Sequence, residues 1–307
     1  MGSGRFEAAS WASYTTSMNY DRKSVDEIFE SRDLHEDLDV KGKVRESRDS
    51  ADNPNSTPII LALDVTGSMD VVVEELARKS LPTLCTQIYE RKPVTDPHIC
   101  VAGIGDAEAH DRVPFQASQF EADIRIAKHL EKLYLEGGGG GNNHEGYSQA
   151  WYFGLNHVVA DAFSKGRKGF IFTIGDEEPQ FTLYKGHLAS VFGDTVTEDV
   201  DAKALLDRVS QNFEVFHVVV EQGNYCQYGR KDGVYKAWRE LLGQHVIPLS
   251  DVSKLAEVIV SVLEVTAAGK ASSEVIASWD GTTSVAVAKA INGLTAEKVS
   301  SEGLVVL

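Results

Sequence analysis

The stretch Pro58-Ile59-Ile60-Leu61-Ala62-Leu63-Asp64-Val65-Thr66-Gly67-Ser68 decides how this chain folds. Its first six residues are one continuous apolar run, the pattern of a strand covered on both faces, and such strands belong to parallel sheets. Working outward, similar runs return at 98–104, 169–174, 214–220 and 245–249, with Val113–Phe115 as a short edge strand. Helical spacing fills the gaps at 71–89 (Pro82 expected to kink or split it), 122–134, 147–163, 198–210, 232–242 and 251–266. Strands alternating with helices in this way predict an α/β protein: a doubly wound, mostly parallel six-stranded sheet with helices on both faces.

The 307 residues divide into a polar arm at 1–54, the alternating domain at 55–268 and an extension at 269–307 that ends in the apolar tip Gly303-Leu304-Val305-Val306-Leu307. In the arm, Ser24 and Glu27 have the spacing of a capping box before one short helix. The formal charge of −16 speaks against a nucleic-acid or anionic-membrane partner, because phosphate affinity is built from clustered Lys and Arg, but it does not oppose a cation. Cys85, Cys100 and Cys226 have no metal-site spacing and lie in or near apolar runs, so they read as reduced core residues. No run is long enough for a membrane span, and the N-terminus lacks the apolar core of a secretory signal, so a cytoplasmic protein is expected.

In such a sheet, ligands sit beyond the carboxyl ends of the strands, where the strand order reverses. After the first strand stand Asp64, Thr66 and Ser68, three oxygen donors at alternate positions on a turn opened by Gly67. Hard donors without His or Cys select Mg²⁺, with Mn²⁺ or Ca²⁺ as substitutes, over zinc or copper. After the fourth strand stand Gly175-Asp176-Glu177-Glu178-Pro179, and a strand order 3-2-1-4-5-6 brings Asp176 beside Asp64. Between them lies the run Gly137, Gly138, Gly139, Gly140 and Gly141, followed by Asn142-Asn143-His144-Glu145. Ordering five glycines is entropically costly, which makes sense at a hinge or where backbone approaches a ligand.

Asp64-x-Thr66-x-Ser68, the later glycine loop and the strand-end Asp176 together resemble the metal-ion-dependent adhesion site of von Willebrand factor A (VWA) domains, in particular bacterial and phage ones. The resemblance covers roughly 56–266 and implies a Rossmann-like VWA fold with Asp64, Thr66, Ser68 and Asp176 around the metal. The family also uses a loop Thr, and none follows the glycines here; Asn142 is the first choice for its place, with Asn143 and Glu145 as rivals and Glu177 on the rim. The resemblance implies a non-enzymatic module that captures a Glu or Asp carboxylate of a partner protein, and for some relatives an adaptor role beside a MoxR-type AAA+ ATPase.

Two other readings compete. Asp64-Val65-Thr66-Gly67-Ser68 also resembles the haloacid dehalogenase-type phosphotransferase motif, with Asp64 as nucleophile, although Lys165 and Lys168 precede the fourth strand rather than reaching over it. A structural protein that assembles through its terminal arms is the third. Among single residues, His217 inside an apolar run reads as a core histidine, and Asp106, Glu108, His110 and Asp111 form an acidic stretch that could rim the site but reads first as a solvated loop.

Overall fold

The computed structural model describes residues 4–5, 7–18, 22–29, 31–67, 69, 74–75, 79–137 and 142–295. Ser68, Gly138, Gly139, Gly140, Gly141 and the apolar tip at 303–307 lie outside them. Six strands form the central sheet: β1 (Thr57–Asp64), β2 (Pro97–Ile104), β3 (Phe115–Ala117), β4 (Gly169–Gly175), β5 (Phe213–Val220) and β6 (Val246–Leu249). Their order is β6-β5-β4-β1-β2-β3, every pair parallel except the antiparallel β2–β3 edge. That is the expected order, and β1 lies at its centre with all eight residues buried.

Side chains alternate across a strand, so one apolar run feeds two cores. Ile59, Leu61 and Leu63 of β1 enter the first core, together with Phe172 of β4 and Val218 of β5. Ile60 and Ala62 enter the second, with Ile171 and Val219. The first core is closed by helices α2 (Leu81–Arg91), α3 (Arg125–Leu130) and α7 (Leu255–Thr266), and the second by α4 (Ser148–Asn156), α5 (Ala202–Val209) and α6 (Lys231–Leu242). Each helix presents its apolar stripe to the sheet, as Leu84, Cys85 and Ile88 of α2 do.

The flanking segments pack into these same cores. Trp11 of α1 (Ala8–Met18) and Phe29 join the first core, and Val40 joins the second. Val275 of α8 (Ser272–Ala277) and Ile291 of α9 (Gly281–Ile291) complete the first core from the C-terminal side. The capping box is formed, Glu27 Oε2 accepting from the Ser24 backbone at 2.7 Å ahead of the helix Val25–Ile28. The three cysteines are buried and free.

Two expectations need correction. The helix read at 147–163 stops at Asn156, because Val158–Ala160 pairs in parallel with Arg45–Ser47 of the arm. His157 makes that break by bonding the Lys43 carbonyl at 2.9 Å and Asp194 at 2.8 Å. Tertiary partners thus override a helical spacing that β-branched Val158 and Val159 tolerate poorly. The helix read at 122–134 is cut to Arg125–Leu130. Pro82 stands in the first turn of the α-helix that begins at Leu81, directly after a wider turn at Lys79–Ser80, so the regular helix is divided at the proline as expected.

Glu264 on α7 is fully buried, and Arg91 holds it at 2.7 Å while Lys270 does so at 2.5 Å. Arg91 also lies 4.1 Å from the ring centroid of Trp279, so one guanidinium ties α2, α7 and the C-terminal extension together. Arg91→Ala is expected to cost about 2 kcal/mol in chemical denaturation, below the full penalty of an orphaned buried charge because Lys270 remains.

Candidate metal centre

Parallel pairing of β1 with β4, Leu63 opposite Ile174, delivers two carboxylates to one edge. Asp64 is the last residue of β1 and Asp176 follows the last residue of β4; both are fully buried. Asp64 Oδ1 accepts from the Thr66 backbone at 3.0 Å and from Thr66 Oγ1 at 2.6 Å, which closes the turn. Asp64 Oδ2 accepts from the Tyr147 hydroxyl at 2.7 Å. Asp176 Oδ2 accepts from the Tyr225 backbone at 2.7 Å, and a Cβ at Gly223 would stand 2.3 Å from that oxygen. Glycine at 223 is therefore the space into which the Asp176 carboxylate fits.

After the glycine run a third short strand reaches the site. Gly137 has φ 63°, the left-handed backbone that glycine enters freely. Beyond the glycines, His144–Glu145 pairs in parallel with Glu178–Pro179, and this places Glu145 against the other acids. Its carboxylate is buried, and Oε2 has no hydrogen-bond partner; Glu177 Oε2 is likewise buried and without one. Asn142 donates its amide to Asp106, and Asn143 Oδ1 accepts from Arg230 at 3.2 Å. Of the three residues considered for the loop ligand, Glu145 is the one whose oxygen is left over among the carboxylates.

Electrostatics agree with the geometry. Burial, with Asp176 adding its charge, pushes the Asp64 carboxyl up to about 7. Burial pushes Glu177 up to about 8, with Asp64 and Asp176 next in effect. Glu145 is pushed up to about 11 by burial, then by Asp64, Glu177, Asp106 and Asp111. Crowded buried acids must take up protons or a cation. The oxygen donors of Asp64, Thr66, Asp176 and Glu145 are of the hard chemical type that a divalent cation such as Mg²⁺ takes.

The sign of the pH dependence follows. A carboxyl with a raised folded pKa contributes stability that is complete below its unfolded pKa, about 4, and lost as pH rises through the folded value. In EDTA, the melting temperature is therefore expected to fall as pH rises from about 5 to about 8, the range in which Asp64 and Glu177 ionise. Magnesium should flatten that fall; melting curves that are parallel with and without the ion would contradict it.

Sequence reasoning left two members of this site out of its ligand set. Asp106, assigned to a solvated loop, is fully buried just beyond β2, where its carboxylate accepts from the Glu108 backbone at 2.7 Å. Its position after a strand end was the available signal. Asp106, Glu108 and His144 offer ligand atoms within 4.8 Å of one another on the rim. The second is Tyr147, for which a lone aromatic at a helix start carries no signal. His217 is a core residue as expected, its ring stacked on Trp238 at 3.6 Å. Lys165 and Lys168, considered for a phosphotransferase, pair with Asp49 and Glu214 ahead of and at the amino end of the sheet strands.

No protein-family model matches the chain. No curated protein matches it either. Among solved structures, the pilus adhesin SpaC from Lactobacillus rhamnosus GG in its open conformation is similar over 74% of this chain, at 10% identity and a TM-score of 0.48. A second structure of the same adhesin is similar over 73%, at 11% identity and a TM-score of 0.47. The chain spans about a third of the adhesin, 32% in both cases. Among the described residues, no helix is long and apolar enough to cross a membrane.

Proposed function

We propose that this chain is a non-enzymatic protein-binding module of VWA type, doubly wound and cytoplasmic, that holds a divalent cation and uses it to capture a partner's carboxylate. The observation that carries the reading is the meeting of Asp64, Asp176, Glu145 and Glu177 at one sheet edge, with buried oxygens of both glutamates left without partners. Asp64, Thr66, Glu145 and Asp176 would hold Mg²⁺, with Ser68 as a further candidate ligand. When bound, the ion supplies a local positive charge to which an Asp or Glu of another protein is attracted. The chain's own residues do the positioning: Tyr147 and Thr66 fix the rotamer of Asp64, and Tyr225 with Gly223 fixes that of Asp176. The partner class extends to an AAA+ ATPase of the MoxR type, for which the chain would act as an adaptor.

The test is capture of a partner by the immobilised full chain from a cell extract in Mg²⁺ and in EDTA. A protein retained with Mg²⁺, released by EDTA and absent with Asp64→Ala is the expected result. Retention that ignores both the chelator and the substitution would end the proposal. Stable phosphorylation of Asp64 in the presence of a phosphate ester would instead favour the phosphotransferase reading.

A further inference from the structure

At the other end of the sheet, the amino ends of β1, β4 and β5 and the loop before β2 line a half-open cavity of about 810 Å³. That is the size of a small-ligand site. In a chain of net charge −16, three cations stand on its wall: Lys92, Arg167 and Lys168. The one wall carboxylate, Glu214, is taken by Lys168 at 2.9 Å. Lys92 is exposed and has no ion-pair partner among the described residues. Arg167 is anchored through Nη1, which donates to the carbonyls of Asn55 at 3.0 Å and Ser56 at 3.2 Å, while Nη2 is buried without an acceptor.

The wall loop is also held in an unusual shape. Lys92 and Asp96 have φ of 50° and 38°, a region that side chains other than glycine enter at a cost. Asp96 Oδ2 keeps the loop in place by accepting from the Asn55 backbone at 2.8 Å. The carboxyl ends of α2 and α7 lie on the same wall and oppose an anion with roughly half a charge each. Two cations without acid partners outweigh them, so the wall stays positive. Phe170 and Val94 give it an apolar side.

We propose that this cavity binds a small organic anion, its carboxylate or phosphate head between Lys92 and Arg167 and its short apolar body against Phe170 and Val94. Lys92, exposed on this wall and without an acid partner among the described residues, can turn its ammonium to a charged acceptor, and a planar or tetrahedral oxyanion supplies one beside the Arg167 charge.

Calorimetric titration of the full chain with phenyl phosphate, with benzoate and with neutral benzyl alcohol tests this. At least one anion should bind with a Kd of about 1 mM or tighter, and which of the two binds better identifies the head group. Lys92→Glu should weaken it at least about tenfold; the variant breaks no ion pair among the described residues, and a single cooperative melting transition verifies that it is folded. Asp64→Ala should leave the anion affinity unchanged, which separates this cavity from the carboxylate edge. Absence of heat with both anions, equal binding of benzyl alcohol, or an unchanged affinity in folded Lys92→Glu would each overturn the proposal.

Discussion

Replacing Asp64 by alanine is expected to reduce magnesium affinity by about a hundredfold or more, beyond what loss of an outer positioning group costs. Asp64 is a charged donor at the one point where β1 and β4 bring two carboxylates together, and water replaces a carboxylate poorly. Thr66→Ala should weaken binding less, because a neutral hydroxyl is exchanged for a neutral water. Calorimetric titration with MgCl₂ gives both numbers. Equal affinity in the wild type and Asp64→Ala would remove the site, and a larger loss in Thr66→Ala would mean that the ligands are misassigned. Stability supplies an independent check. Asp64→Ala strips the acceptor from the Thr66 N–H, the Thr66 hydroxyl and the Tyr147 hydroxyl, at about 1–3 kcal/mol for each buried donor left over. Asp64→Asn keeps an acceptor oxygen without the charge, so it should lose magnesium while retaining more of the stability.

Gly175→Ala is the substitution with the largest expected effect on folding. A Cβ there would lie 2.0 Å from the Tyr147 hydroxyl and 2.5 Å from two of its ring carbons. The ring cannot step aside, because His217 and Trp238 contact it edge-on with centroids at 4.9 and 5.4 Å. Overpacking of this kind costs about 3 kcal/mol or more where neighbours are themselves locked. It also pulls the phenol from Asp64, so magnesium affinity should fall together with stability. Tyr147→Phe alone should cost about 1–2 kcal/mol for one hydrogen bond to a charged group. Combined with Gly175→Ala it should recover part of the loss, since the atom in closest contact is gone, and the two changes should couple by about 1 kcal/mol or more in chemical denaturation. A Gly175→Ala protein within about 1 kcal/mol of the wild type would refute the packing argument.

The sheet was legible because its signal is local and redundant. Each central strand is a continuous apolar run, and the alternation with helices dictates a parallel arrangement. The order that places Asp64 beside Asp176 is one that this architecture allows, and the sheet adopts it. What stayed hidden depends on distant partners. Nothing near Val158 announces that it pairs with Arg45, more than a hundred residues earlier, and helical spacing in Ser148–Asn156 runs into it with only His157 between. Site residues split the same way. Asp64 and Asp176 stand at strand ends and can be read off. Glu145 could be listed only as one of three rivals, because the pairing with Glu178–Pro179 that turns it inward is itself tertiary. Asp106 was passed over because an acidic run after a strand is usually solvated, and only the fold shows it enclosed.

The phenol of Tyr147 donates to the carboxylate of Asp64 from inside the core, away from solvent. Its near-ultraviolet absorption therefore depends on how much electron density that carboxylate keeps. When a divalent ion draws on Asp64, the band of this single tyrosine should shift toward the blue, and the wild-type difference spectrum should vanish in Tyr147→Phe. The protein thus carries its own dye for the state of the carboxylate edge, read without any label.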